Sequence, residues 1–440
     1  GQGPETLDLL KRLLFYLTPG QDLAAAQALS GSCYLTLGMY REAIDTLGSA
    51  LDVAALFRDS ISPLELRHWN RLLAEAYLQL GRWSHALTYS QASMSIERTS
   101  NQNIPAYERI ALSLLQQRIW TMAGQVEQAR FWLADAQMQA QITDCPTGSG
   151  LVAYAEGVDA VRRGNFEKAI KRLHESLALL PDHTHYTERF EIVALLGHCQ
   201  AMLGQFEPAE AMLRRSLNET YAIFHRSGTV ALALALVCVT LGRGAIDEAA
   251  VTLRLAESLH DPANLRQSVE LKLIQGWHAL HTDHMSQSLS HFMAALSIAS
   301  DPAIPEFQVQ ANLSIACSAL RQGDATTAGQ YATRSLRQAE SLGLDRAKAL
   351  SQLCLVEEAL LRHAWSEAEQ GLKALRLSET DPLLQGQFYF TKAQLLSALD
   401  DEIEARSSLQ TGLAQLQKGP QLARRWAEQS ANRLFQARQT

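Results

Sequence analysis

The side chains best suited to chemistry in this sequence are imidazoles. Trp277-His278, His281, His284 and His291 fall close together, with His281 and His284 three apart at the end of one predicted helix and in its turn. Such a group could ligate a metal or sense pH. Only Asp283 stands by to complete a tetrahedral set, so ordinary turn and surface histidines are expected. Asp182, His183 and His185 make a second polar loop, which lacks a nucleophile. The six cysteines, Cys33, Cys145, Cys199, Cys238, Cys317 and Cys354, are scattered without a C-x-x-C pair. That argues against a disulfide frame or structural zinc, and a free thiol inside a helix packs as a small hydrophobe. The sequence holds no P-loop, G-x-S-x-G, H-E-x-x-H or G-x-G-x-x-G. No catalytic residue, cofactor or metal site is expected, and function must be sought in binding.

The formal net charge is −7, from 39 basic and 46 acidic residues, with no basic stripe. Duplex nucleic acid and anionic membranes are thus poor direct partners. No secretory signal, lipidation motif or apolar run of 18 residues is seen, so a cytoplasmic chain is expected. The opening Gly1-Gln-Gly-Pro4 lacks a methionine, which fits a cloning scar or a piece cut from a longer protein.

What would position a binding side chain is an internal repeat. Small residues recur at Ala43, Ala86, Ala129, Ala169, Ala209, Ala249, Ser288, Ala328, Ala368 and Ala405, spaced 37 to 43 apart. Five residues before each stands a turn residue: Gly38, Gly81, Gly124, Gly164, Gly204, Gly244, Asp283, Gly323, His363 and Asp400. Three before each comes, in most copies, a large apolar residue: Tyr40, Trp83, Val126, Phe166, Phe206, Ile246, Met285 or Trp365. Four after lies a core leucine or its equivalent, such as Leu47, Leu173, Leu213 and Phe292. Seven after is another small residue, from Ala50 and Ser93 to Ser335 and Gly412, with Leu375 the misfit. The pattern predicts ten helical hairpins. A left-handed turn residue closes the first helix, an apolar wedge fills the angle, and the second helix packs closely through its small positions. Pro63, Pro105, Pro146, Pro181, Pro262, Pro302 and Pro382 fall at the predicted boundaries. Length alone would suggest about three globular domains, whereas stacked repeats make one continuous body.

These residues resemble the tetratricopeptide repeat (TPR) family. Gly164-Asn-Phe-Glu-Lys-Ala169, followed by Leu173, Ser176, Leu177 and Pro181, matches the second half of its consensus. The small residue that the family places seven before the turn recurs as Gly31, Ala74, Gly157, Gly197, Gly276, Ala316 and Ala393, while Gln117, Val237 and Val356 depart from it. The period is about 40 instead of the family's 34. That longer period looks like the solenoid arms of bacterial regulators such as the maltose-regulator (MalT-like) activators, and like some eukaryotic scaffolds. The resemblance implies an all-α fold, a right-handed α-solenoid. It divides into an N-terminal helix or half repeat within residues 1–20, about ten hairpins over 21–418, and a capping helix over 419–440 carrying Leu422, Trp426 and Leu434.

The resemblance also implies where a ligand would lie, because in this family the first helix of each hairpin faces a concave groove. The matching positions are His68, Arg71, Glu75 and Gln79 in the second repeat, Arg118 in the third, and Tyr154 and Arg162 in the fourth. The fifth gives Glu191 and His198, and the seventh Glu270, Trp277 and His281. The eighth gives Gln310 and Arg321, the ninth Glu357, and the tenth Gln387, Phe390 and Gln394. No repeat carries the Lys/Asn/Arg clamp of chaperone-tail adaptors. Interleaved arginines and acids, with Tyr154, Trp277 and Phe390 as aromatic anchors, suit a peptide or protein segment, or a polar small ligand such as an oligosaccharide. Each residue could equally be part of a solvated helix face.

The sixth repeat breaks the pattern, since residues 229 to 241 are apolar all round and need cover on both sides. Leu232, Leu234 and Leu236 are therefore candidates for an interface with another chain or an apolar ligand, or for the place where the solenoid closes on itself. The expected function is a non-enzymatic interaction module, the sensor or scaffold arm of a bacterial signalling or transcription regulator. The alternatives are a free-standing adaptor or assembly factor that clamps a protein, and a regulatory arm of an enzyme such as a protease.

Overall fold

The computed structural model describes residues 3–57, 60–99, 104–181, 185–375 and 381–416, and no strand occurs among them. A first helix, α1 (Gly3–Leu14), leads into ten helical hairpins. They pair α2 (Gln21–Thr36) with α3 (Tyr40–Leu56), α4 (Pro63–Gln79) with α5 (Trp83–Thr99), and α6 (Ala106–Met122) with α7 (Val126–Thr143). Next come α8 (Pro146–Arg162) with α9 (Phe166–Leu179), α10 (Tyr186–Met202) with α11 (Phe206–Ala222), and α12 (Arg226–Arg243) with α13 (Ile246–Leu259). Then follow α14 (Leu265–His281) with α15 (Met285–Ile298), α16 (Pro305–Gln322) with α17 (Ala325–Leu342), α18 (Asp345–Leu361) with α19 (Trp365–Ala374), and α20 (Pro382–Ala398) with α21 (Glu402–Leu416). The capping helix expected over 419–440 lies outside the described residues, as do Asp182 and His183.

Local chemistry sets each hairpin. All ten turn residues adopt the left-handed conformation, with φ from 58° at Asp283 to 82° at Gly244. Asp and His tolerate that region better than most side chains, which is how Asp283, His363 and Asp400 replace glycine. The second helix opens on the apolar wedge itself in eight hairpins, from Tyr40 in α3 to Trp365 in α19. The ten small landmark residues are buried in the seam, none more than 7% exposed. Three of the serines at the next small position donate to a carbonyl of the first helix: Ser93 to Arg67 at 3.0 Å, Ser176 to Gly150 at 2.7 Å, Ser335 to Val309 at 3.2 Å. Leu375 misfits because α19 stops at Ala374, leaving that position as a C-cap in the loop.

Glycine seven before the turn has a steric reason. A Cβ on Gly157 would lie 2.6 Å from Leu173 Cδ2, and one on Gly276 would lie 2.4 Å from Phe292 Cε1. The missing side chain on the first helix is the space that the large residue of the second helix fills.

The hairpins coil so tightly that each of the first four turns meets a hairpin five further along. The turn at Gly38 abuts His225 and Ser227, that at Gly81 abuts Leu265 and Arg266, that at Gly124 abuts Pro305 and Leu342, and that at Gly164 abuts Arg346. Polar bonds tie this closure: Leu265 N–H donates to Leu80 O at 3.0 Å, Trp83 Nε1 to Ala303 O at 2.9 Å, and Arg162 Nε to Glu306 Oε2 at 2.8 Å. His225, fully buried, is its most constrained member. Its Nδ1 accepts from Gly228 N–H at 2.9 Å, capping α12, which leaves Nε2 to carry the proton toward Thr187 Oγ1 at 3.2 Å.

α12 takes its cover from the chain itself. Leu232 and Leu236 pack with Phe190, Phe206 and Leu213 of α10 and α11, while Leu234 packs with Leu253 and Leu271 of α13 and α14. At 0, 1 and 3% exposure respectively, these leucines are covered by the helices on either side. Although Arg226 and Arg243 bound it, α12 is by length and composition apolar enough to cross a membrane, with mean hydropathy 1.3 over 18 residues. In this fold, however, 61% of that window is buried inside the solenoid.

Gly276→Ala, which forces a methyl against Phe292, is expected to lower stability by about 1–3 kcal/mol. Gly48→Ala in α3, where a Cβ meets nothing within 4 Å, is expected to raise it by about 0.5–1 kcal/mol. Thermal unfolding midpoints that move in the same direction would contradict the seam geometry. Burial holds the His225 imidazole down to about 4, below its ordinary 6.5. Between those values the unfolded chain takes up a proton that the folded chain refuses, so stability falls as pH drops from 6.5 toward 4. His225→Asn, which can still cap α12, is expected to remove up to roughly 3 kcal/mol of that pH dependence. Identical Tm-against-pH slopes for the two proteins would assign it elsewhere.

Candidate functional site

Closure turns the inner faces of the first helices toward one another, and their side chains meet as three connected charge clusters. In the first, Arg71 clasps Glu108 through Nε to Oε2 at 3.0 Å and Nη2 to Oε1 at 3.2 Å, and His68 Nδ1 lies 3.3 Å from the same carboxylate. Arg67, almost wholly buried, reaches both Glu108 at 3.2 Å and Glu97 at 3.0 Å. Burial raises the Glu108 carboxyl, but the His68 hydrogen bond and the Arg71 charge outweigh it and hold it down to about 2. In the second, Glu75 accepts from Arg118 Nη1 at 2.6 Å and from Gln79 Nε2 at 3.1 Å.

The third cluster spans three hairpins. Glu191 on α10 accepts a hydrogen bond from the Tyr154 hydroxyl of α8, and accepts one from Arg266 Nη1 of α14 at 3.1 Å. Arg266 Nε also donates to Glu270 at 3.3 Å. Burial is the main reason why the Tyr154 hydroxyl is pushed well above its ordinary value, and the Glu191 charge adds to it. Burial likewise raises Glu270, against the opposing pull of Arg266. Arg118 feels Glu75 first and then Glu191, so the second and third clusters act as one electrostatic unit.

Beside this unit lies a cavity of about 200 Å³. Gln79, Glu191, His198 and Glu270 line it, together with the apolar Phe190, Leu234 and Ile274 and the closing Tyr40 and His225. Burial, then the Arg346 charge, lowers His198 to about 4, so its ring is neutral at physiological pH. The cavity thus combines an apolar floor with one acid–guanidinium–acid rim.

The other groove candidates lie apart from it. Arg162 is spent on closure, in the bond to Glu306. Trp277, half-buried, packs edge-on against Phe292 at 5.5 Å and against His281 at 6.3 Å, at the margin of its hairpin's core. Burial lowers His281 to about 3, which corrects the expectation of an ordinary surface ring. Among the described residues no three His, Cys, Asp or Glu side chains gather as a metal site. Glu357, raised chiefly by burial, accepts from Thr391 Oγ1 at 3.1 Å, and Gln387 O accepts from the same hydroxyl at 2.9 Å. Arg321, Phe390 and Gln394 are half-buried, and Gln310 is exposed. The sequence reading passed over Arg67, Glu108 and Arg266, and also Glu188, whose carboxylate lies 3.7 Å from His185 Nδ1. Glu108 and Glu188 both stand sixteen before their turn glycine, one helical turn beyond the last groove position, and that shared spacing was the available signal.

No family model matches the sequence, and no curated protein matches it. Among solved structures the fold is similar to that of a Rap protein complexed with competence and sporulation factor. There the TM-score is 0.61 and the identity 13%, over 80% of this chain and 98% of that one. It is also similar to the Rap conjugation gene regulator of plasmid pLS20 in complex with the Phr* peptide. There the TM-score is 0.50 and the identity 12%, over 83% of this chain and 97% of that one. Neither is a maltose-regulator arm, so that finer likeness gains nothing from them. With ten hairpins, left-handed turns and a small-residue seam, the chain has the TPR-like helical-repeat fold.

Proposed function

We propose that the chain is a non-enzymatic regulatory module that holds a peptide or protein segment inside its superhelix, anchored in the cavity between Gln79, Glu191 and Glu270. The cavity carries the reading. At about 200 Å³ it is smaller than the roughly 300–1,000 Å³ of small-molecule sites, so it suits one side chain of a longer ligand better than a whole metabolite. Its rim is fixed in advance by the Tyr154, Glu191, Arg266 and Glu270 bonds, which reduces the ordering cost of binding. Both similar structures were solved as complexes, one with competence and sporulation factor and one with Phr* peptide, and this favours a segment over other ligand classes. The finer reading is a sensor or scaffold arm of a bacterial signalling or transcription regulator.

Random peptides displayed on phage and selected on the immobilised full chain provide the test, with affinities then measured by titration calorimetry. Glu191→Ala and Arg266→Ala are expected to weaken the selected peptides at least tenfold, about 1.4 kcal/mol, while Arg214→Ala on the outer helix α11 leaves them unchanged. Recovery of no peptide, or of peptides indifferent to both inner substitutions, would sink the proposal.

A further inference from the structure

We propose that Cys317 and Cys354 form a redox pair, joined by a disulfide when a peroxide reaches the chain and reopened by a dithiol. Cys317 lies on α16 and Cys354 on α18, the first helices of the eighth and ninth hairpins. They are 37 positions apart in sequence, yet their Sγ atoms face each other at 3.8 Å. The two fully buried alanines Ala316 and Ala332 share their cluster and let the helices approach. A disulfide needs the sulfurs at about 2.05 Å. The remaining approach is less than a rotamer change moves a sulfur.

The two thiols are not equivalent, and that gives the reaction an order. Cys317 is partly exposed, whereas Cys354 is buried. The hydrogen bond with Cys317, then burial, pushes the Cys354 thiol well above its ordinary value. Peroxide therefore meets Cys317. Its sulfur attacks one peroxide oxygen, the O–O bond breaks, and sulfenic acid and water result. The Cys354 sulfur then attacks the sulfenic sulfur, the S–O bond breaks, and a second water leaves with the Cys354 proton. Two thiols and one hydrogen peroxide give one disulfide and two waters; the sulfurs lose the two electrons that the peroxide gains.

The bond would add a covalent clamp between two hairpins that otherwise meet through packing, the Ser351–Ser335 hydrogen bond at 2.9 Å and the Lys348–Glu340 ion pair at 3.1 Å. Arg321 follows Cys317 by one helical turn, and Glu357 follows Cys354 by three residues, each on the same helix as its cysteine. The Arg321 charge already acts on Glu357. Oxidation would thus fix the spacing of two inner-face charges as well as stiffen the array.

The experiment uses the full chain, reduced, then treated with hydrogen peroxide, alkylated and digested without reductant for mass spectrometry. The expected product is one cross-linked peptide pair carrying Cys317 and Cys354, two hydrogens lighter than the reduced pair and abolished by dithiothreitol. Hydrogen exchange across α16 to α18 is expected to slow by roughly tenfold in the oxidised chain. Cys317→Ala and Cys354→Ala should each lose the cross-link while keeping the helical circular dichroism of the parent. Three outcomes would overturn the pair: sulfinic acid at Cys317, full alkylation of Cys354 after oxidation and unfolding, or a bridge to a different cysteine. The mapping of the unsubstituted chain decides this even if a variant fails to fold.

Discussion

At Gly276 the Phe292 ring comes so near that a methyl group would lie 2.4 Å from it, and Gly31, Gly157 and Gly197 stand in the same relation to Leu47, Leu173 and Leu213. This approach governs much else. It sets the separation of the two helices, lets serine hydroxyls of the second reach carbonyls of the first, and leaves the wedge residue at the turn as a fixed spacer. The recurrence of this contact in four hairpins repeats a similar step from hairpin to hairpin. Where the glycine becomes Ala74 or Ala316, the residue sixteen on shrinks to Ser90 or Ala332, so the pair changes while the spacing persists.

A repeated angle must eventually bring the chain back to itself, and here it does so after five hairpins. The consequence for the inner face is electrostatic. Side chains that a looser solenoid would leave in water are pressed together, and an unpaired charge there would cost several kcal/mol. The acids and guanidiniums answer this by pairing, across hairpins for Arg71 with Glu108, Arg118 with Glu75 and Arg266 with Glu191, and within α14 for Arg266 with Glu270. The paired rim beside a small apolar hollow is rigid and polar, which is the character that a side-chain anchoring pocket needs. α12 needs no closure for its cover, since its leucines face the adjacent helices α10 and α11 on one side and α13 and α14 on the other.

Much of this was readable in the one-dimensional pattern, and the limits have a common cause. Asp283, His363 and Asp400 were identifiable as turn residues without being glycine, because their spacing from the small landmarks forced a left-handed residue there, and all three have positive φ. The carried-over groove positions led to Glu191, His198 and Glu270, which share a cavity. Other positions met partners that the pattern did not foretell: Arg162 bonds Glu306 across the closure and Trp277 packs half-buried against Phe292, since a helical period reports the face of a residue but not what stands opposite. Cys317 and Cys354 were dismissed as scattered for the same reason. Their 37-residue separation is close to one repeat, the distance at which stacked first helices bring side chains together.

The sequence by itself determined the hairpin: its count, its turns, its wedge and its seam. These depend on contacts within about 30 residues, and residue type at fixed spacing encodes them directly. The tertiary structure alone decided the superhelical return, and with it the burial of the inner charges, the latch at His225 and the cavity beside Glu191 and Glu270. Those features depend on a small angle summed over five hairpins, and no local run of residues records that sum.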